Sequence, residues 1–439
     1  MRGLFLALKG AKPFRGLTER EFAWVLYDVG NSAFTMLSCS LIPIWFKALA
    51  VGEGPGPGKL SAGDATGVWA LGVALVTVAV ALLGPVCGAL SDRRGKKKLF
   101  FRTSVFLGVG GCILNGFATG WLLFLVLFLL GKVAYSCSLT FYDSMLNDIT
   151  TQERMDEVSS YGYAWGYLGS CIPFLAALVF YVLGPDMAGL LPGFVSRMAG
   201  FAITALWWLL VTFPLLRHYR QENYTQPQPH AVAAAFRKIG RTLKRIARED
   251  RKVFFFLLAF FLYIDGVGTI IDNCINIGTD LGLSTVGQVI VLLATQVVAW
   301  VFALVFARLS RRHSTVTLLT VCILGYLCVC LYALTLQSLV QFGIMAFGVG
   351  MFQGSIQSLS RSYFSKIIPP ENSGEYFGIY DIFCKGASFL GSAVIAWVKF
   401  AGGTINIAIG LLALLFLGGL LFLRMAHRMA PPSRRPAAD

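Results

Sequence analysis

The sequence predicts an all-α membrane protein, with about twelve transmembrane helices forming two similar six-helix bundles around a polar pathway. Three observations carry this expectation. Of 439 residues, 56% are hydrophobic and only 13% charged, with a mean hydropathy of +0.69; a soluble domain is about half apolar and about a quarter charged. The almost unbroken apolar runs 71–83, 122–130 and 409–423 sit inside stretches of spanning length, and a bilayer core takes about 20 such residues per helix. The basic residues, finally, fall overwhelmingly on one side of those stretches.

Taken in order, apolar segments bounded by charge or by Gly and Pro lie near 22–49, 67–90, 99–118, 121–147, 159–184, 194–216, 253–279, 284–308, 314–336, 338–365, 375–400 and 403–425. We number them spans 1 to 12. An even number puts both termini on one side. That side, with its loops, holds 31 Lys and Arg; the other holds four, Lys47, Lys59, Arg197 and Lys399, and Lys132 and Lys385 lie mid-helix. Basic loops face the cytoplasm, so both termini are expected there, in the cell (inner) membrane. The net charge of +15 therefore reads as a topology signal, with anionic lipid headgroups as neighbours and no nucleic acid. The start of the chain lacks an apolar segment with a cleavage site, so span 1 is expected to act as the targeting signal. The ten cysteines all fall in apolar segments without C-x-x-C pairs, which reads as buried thiols.

The expected division is a first bundle over 1–216, a cytoplasmic linker over 217–252, and a second bundle with a short tail over 253–439. Within the linker Phe236, Ile239, Leu243 and Ile246 recur at helical spacing among basic residues. An amphipathic helix on the inner membrane surface fits this pattern; a solvated charged linker is the alternative. A weak internal repeat relates the loops after spans 2 and 8, as parallel halves predict.

Polar residues favour every third span. Span 1 carries Asp28, Asn31, Ser32 and Thr35; span 4 carries Lys132, Ser136, Thr140, Asp143 and Asn147; span 7 carries Asp265, Thr269, Asp272 and Asn276; span 10 carries Gln353, Gln357 and Arg361. Spacings of three and four place each set on one helix face. A charge at mid-bilayer costs about 2.5–3.5 kcal/mol even on the mildest scale, so these faces must meet water or partners. They mark a transport pathway, or else ion pairs that only glue the bundle. Counting about 1.5 Å per residue from the inner end of span 7 puts Asp265 near mid-membrane and Asp272 nearer the exterior. Asp265 is thus the candidate proton-exchanging acid, on a stripe expected to face span 1, with Asp28 and Asn31 as partners for a substrate amine. A permanent ion pair of Asp265 with Lys132 or Arg361 is the structural alternative. On span 11, Asp381 and Lys385 stand four apart, acid first, the order that favours an intrahelical ion pair.

Two six-helix halves, polar spans 1, 4, 7 and 10, and the loop after span 2 together resemble the major facilitator superfamily. Its loop pattern, G-x-L-x-D-R-x-G-R/K-R/K, is met by Gly88, Leu90, Asp92, Arg93, Gly95, Lys96 and Lys97. The resemblance implies a conformational latch in which Asp92 pairs with basic residues and with the start of span 11 near Ser373 and Gly374, steadying an outward-open state. Arg311 stands where the second-half copy would need an acid, so that copy is not expected to serve equivalently. Within the superfamily the chain looks like the branch of the fungal vacuolar amino-acid effluxers (autophagy-related) and their bacterial relatives. The residues that carry this are Tyr27 to Phe34, Ser160 to Gly169, Gln353 to Ser362, and Glu375 to Lys385. Asp143 and Asn147 depart from the Asn and Pro usual in that branch.

The function implied is secondary active transport of a small polar solute by alternating access. The branch suggests amino acids, exported, and a proton gradient is the candidate driver since no G-x-x-x-x-G-K-S/T loop is present. Transport of another organic solute or peptide, and a non-transporting sensor or scaffold, are the alternatives. No cofactor, metal or enzymatic activity is expected: the four histidines form no ligand-spaced cluster and no H-E-x-x-H or G-x-S-x-G motif occurs,. A monomer is expected.

Overall fold

Local signals set where each span starts. The Thr18 hydroxyl accepts from Glu21 N while the Glu21 carboxylate accepts from Thr18 N, a capping box that opens span 1,. Ser61, Ser314 and Ser338 cap spans 2, 9 and 10 in the same manner, each accepting a backbone N–H three residues on,. The computed structural model describes residues 9–10, 14, 16–51, 58–185, 187–226, 231–280, 285–385 and 389–429; side chains of 231–238, 274–280, 285, 286, 288, 289, 385, 389 and 399 lie outside the description.

The described elements are helices. Span 1 runs Glu19–Cys39 and continues as Leu41–Val51; spans 2 to 6 are Ala62–Ser91, Lys97–Gly116, Trp121–Ser144, Met155–Val182 and Gly193–His218. Spans 7 to 10 are Arg251–Asp280, Thr285–Leu309, Thr315–Ala333 and Leu339–Ile367. Span 11 is described as two segments, Ser373–Lys385 and Phe389–Phe400, and span 12 as Ile405–Leu411 and Ala413–Arg428. Eleven helices among the described residues are long and apolar enough to cross a membrane; they supply every span but span 11, which is described as two shorter segments.

Two separate hydrophobic cores form. One gathers buried residues from Leu17 to Tyr219, including Trp24, Tyr142 and Trp208; the other gathers residues from Ile246 to Ala426, including Tyr263, Tyr326 and Phe416. Outward, leucines such as Leu71, Leu82, Leu107 and Leu130 stand exposed on the spans, as lipid-facing positions must. Lipid is as apolar as a leucine core, so close backbone approach does much of the packing. Spans 2 and 11 meet this way: a Cβ on Gly88 would lie 2.1 Å from Gly374 O. No side chain fits at position 88 while those spans are in contact.

The linker contains a helix, Ala231–Arg248. Its inward face does not lie free for a membrane. Ile239 packs with Val86, Ala89 and Leu90 of span 2, and Ile246 is buried in the second core. Phe236 falls among the undescribed side chains.

Candidate functional site

Several of the polar residues meet on a seam between the halves, and its centre is Arg361. This span 10 residue is 3% exposed, and the groups around it come from the first half. Its Nη2 lies 3.3 Å from Asp28 Oδ2 and its Nη1 2.9 Å from Asp143 Oδ1. Nε donates to Ser159 Oγ at 2.9 Å and Nη2 to Ser159 O at 3.1 Å. Trp24, Tyr142 and Tyr163 surround the guanidinium carbon with ring centroids at 4.5, 5.3 and 4.6 Å. Helical spacing builds the pocket: Trp24, Asp28 and Asn31 share one face of span 1, and Asn31 Nδ2 donates to Asp28 Oδ1 at 3.2 Å. Room comes from Gly162 on span 5, where a Cβ would stand 2.6 Å from Asp28 Oδ2 and 3.2 Å from Arg361 Nη2.

More inter-half contacts lie on either side of it along the spans. Ser159 Oγ donates to Ser358 O at 2.7 Å, and the Ser160 and Ser358 hydroxyls are 3.1 Å apart. Asp156 accepts from Ser362 Oγ and Thr315 Oγ1, both at 2.6 Å, and pairs with Lys366 Nζ at 2.7 Å. Thr140 Oγ1 donates to Asp381 at 2.8 Å.

The loop after span 2 forms a second cluster at the end that bears the basic loops. Asp92 Oδ1 accepts from Gly374 N at 2.8 Å and Oδ2 from Glu375 N at 2.9 Å, so a buried carboxylate caps span 11, where a helix N-terminus favours negative charge. Lys97, fully buried, lies 3.5 Å from Asp92 and 3.7 Å from Asp148, and donates to Ser373 Oγ at 2.8 Å. Asp148 also accepts from Tyr219 OH at 2.6 Å; burial and that carboxylate push the Tyr219 hydroxyl well up from its ordinary pKa. Arg93 and Lys96 stay nearer the surface, and Gly95 makes the turn between them with φ of +72°,.

The second-half loop makes a contact of its own through Arg311. Its Nη2 meets Glu157 Oε1 of span 5 at 2.5 Å, and that carboxylate draws the Arg311 pKa further up. The loop after span 8 therefore does bridge the halves, with the signs exchanged: a base reaches an acid in the first turn of span 5.

Deeper in, Lys132 Nζ donates to Ser38 Oγ at 3.0 Å and lies over the Phe34 and Tyr135 rings at 5.5 and 5.1 Å. Asp265 is fully buried and turns toward span 11, not span 1: its oxygens accept from Leu390 N at 2.9 Å and Gly391 N at 2.6 Å, at the start of the second segment. Its alternative pairing with Arg361 is corrected as well, since Arg361 is committed to Asp28 and Asp143. Gln357 Nε2 donates to Gln353 O one turn back at 3.1 Å, and Gln353 is buried. Asp272 is exposed. The side chains of Asn276 and Lys385 lie outside the described residues, so the Asp381–Lys385 pair is not described either.

Sequence reasoning placed Asp143 on the span 4 stripe but gave it no partner, and Asp156, Glu157 and Ser159 went unnoticed. Asp156 and Glu157 look like ordinary first-turn acids; only the partner half reveals their use. Ser159 sits one turn before Gly162, just ahead of the Ser160 to Gly169 stretch that carries the family resemblance.

Membrane-spanning helices, two cores and a polar seam between them define a membrane transporter of the major facilitator fold. Solved structures of that fold agree in shape: the fucose transporter FucP in its outward conformation superposes with a TM-score of 0.71 at 16% identity, covering 93% of this chain and 98% of that one. The proton:xylose symporter XylE does so with 0.70 at 12% identity, covering 93% and 95%. The chain belongs to the family described as Vacuole effluxer Atg22 like, which matches residues 18–429. It is 38% identical to the Uncharacterized MFS-type transporter YxiO of Bacillus subtilis (strain 168), over 92% of this chain and 94% of that protein. It is 26% identical to Autophagy-related protein 22 of Coccidioides immitis (strain RS), over 60% of this chain and 47% of that protein; the match thus spans about half of the fungal relative. Membership in this family makes the chain a transport protein and not an enzyme.

Proposed function

We propose that the protein exports small zwitterionic solutes, amino acids foremost, by alternating access between two six-helix halves, 1–216 and 253–439, joined by the linker 217–252. The basic end is the cytoplasmic end, and the Arg361 seam is its gate. One observation carries this: a buried guanidinium of the second half sits in a first-half pocket with two carboxylates and three aromatic rings. Two acids to one guanidinium leave a formal surplus of negative charge. When the halves part, Arg361 is released to bind a carboxylate, and Asp28 or Asp143 is left to bind an ammonium. A zwitterion takes both places. Lys132, Gln353 and Gln357 line the way onward from there, with Asp272 and Asn276 nearer the far mouth.

Protons drive the cycle in this reading, with Asp265 as the exchanging acid. Its two backbone donors at the start of the second segment of span 11 tie its charge state to that segment's position. The Asp92 cluster is the latch of the gate-closed state. The protein works as a monomer in the cell membrane. The test is flux of a mixed amino-acid pool in proteoliposomes, with and without a pH gradient. Saturable, gradient-dependent movement of zwitterions is expected. Flux confined to singly charged or uncharged solutes would remove the zwitterion reading.

A further inference from the structure

The helix between the halves touches both of them. Ile239 packs on Val86, Ala89 and Leu90, the last turns of span 2. Ile246 is buried in the core of the second half, and Thr242 between them is buried too. Just past the helix, Asp250 accepts from Tyr376 OH of span 11 at 3.3 Å. Residues 239, 242 and 246 share one face of a helix. The rest of the surface carries Arg241, Lys244, Arg245 and Arg248, all exposed. Leu243 stands exposed among these cations.

Depth decides what meets that surface. Val86 to Leu90 precede the end of span 2 at Ser91, where a spanning helix leaves hydrocarbon for headgroups. A basic face with an exposed leucine in it, at that level, matches the boundary between phosphate and acyl chain. A protein or nucleic-acid partner would have to be seated at the membrane edge, whereas the lipid is already there.

We infer that Ala231–Arg248 is a lipid-reading brace: anionic phospholipid headgroups seat on Arg241, Lys244, Arg245 and Arg248 and hold the two halves together at the basic end. This rests on the alternating-access reading and on that end facing the inner leaflet. Parting the halves pulls Ile239 and Ile246 different ways, so the helix must leave one of them. Headgroups that fix the helix at the interface oppose that departure, and membrane charge sets how readily the gate opens.

The experiment uses the full-length protein with its native cysteines replaced and spin labels at Gln152 and His313, exposed loop positions of the two halves at that end. Label distances are compared in vesicles of phosphatidylcholine alone and of phosphatidylcholine with phosphatidylglycerol. The anionic lipid should raise the ratio of short to long distances by about fivefold, the low end of ordinary coupling between sites. Changing all four basic residues to Gln should abolish the response, while R241K/R245K/R248K should keep it. A ratio indifferent to lipid charge, or a Gln variant that still responds fully, would overturn the brace. So would inositol hexakisphosphate reproducing the shift in neutral vesicles, which would make the ligand a soluble polyanion. A single distance in every vesicle would remove the alternating-access reading along with it; two distances whose ratio ignores lipid would leave that reading standing and remove the brace alone.

Discussion

At Arg361 a single side chain from the second half meets Asp28, Asp143, Ser159, Trp24, Tyr142 and Tyr163 of the first. Arg361→Gln removes the cation and leaves the buried Asp28 and half-buried Asp143 carboxylates together. Stranding such groups costs about 3–5 kcal/mol, here charged against the closed seam. A cysteine replacing the fully buried Ser358 should then react with maleimide far faster than in the Arg361 background; an unchanged rate would mean that the pocket does not hold the seam shut. Asp265 has a different role in the proposal. Asp265→Asn should abolish pH-driven accumulation yet preserve substrate exchange, whereas a merely structural Asp265 should lose thermal stability and both modes together. Intact accumulation in that variant would take Asp265 out of the mechanism. These residues were legible because helical spacing and the cost of buried charge flag them one by one. Their partners were not: Arg361 reaches Asp28 across 333 positions of sequence, and no periodicity reports that pairing. The direction Asp265 faces was missed for the same reason, its partners being backbone N–H groups of span 11 that any residue type would supply.

At the scale of elements, the latch joins a loop, a helix start and a glycine contact. Asp92 satisfies two backbone N–H groups of span 11, which have no intrahelical acceptor,, and Gly88 lets span 2 approach closely enough for it to do so. Asp92→Asn keeps the shape but loses the charge and one acceptor. Turnover should fall while substrate affinity at equilibrium stays within about twofold, because the cluster lies at the end of the bundle and not in the pathway. Loss of equilibrium binding in a folded Asp92→Asn protein would place Asp92 in a ligand site instead. The loop pattern from Gly88 to Lys97 made this element readable in advance. The Arg311–Glu157 bridge was not readable, because the exchanged signs break the pattern by which a repeat is recognised. The linker helix was visible as an amphipathic pattern, but a pattern cannot say whether a membrane or the protein itself covers the apolar face; here the bundle covers Ile239 and Ile246.

For the whole molecule, two cores that share few side chains are what a pair of rigid bodies requires, and the polar contacts described between them crowd toward the basic end. The proposed orientation can be checked first: in a background without native cysteines, cysteines at Gln221 and Ala437 should label only from the cytoplasm and one at Gly56 only from outside. Labelling of position 221 from outside intact cells would invert the assignment. Gross architecture was legible from hydropathy and charge asymmetry, since the bilayer leaves helices or closed barrels as the only spanning forms. Which conformation the halves adopt was not, because that depends on surfaces far apart in the chain. The most direct measurement uses the Ser160 and Ser358 hydroxyls, 3.1 Å apart across the seam. In the cysteine-free background, S160C/S358C should form a disulfide on oxidation that stops flux, and a reductant should restore it. Full flux through the cross-linked protein would contradict a gate that must open at this end.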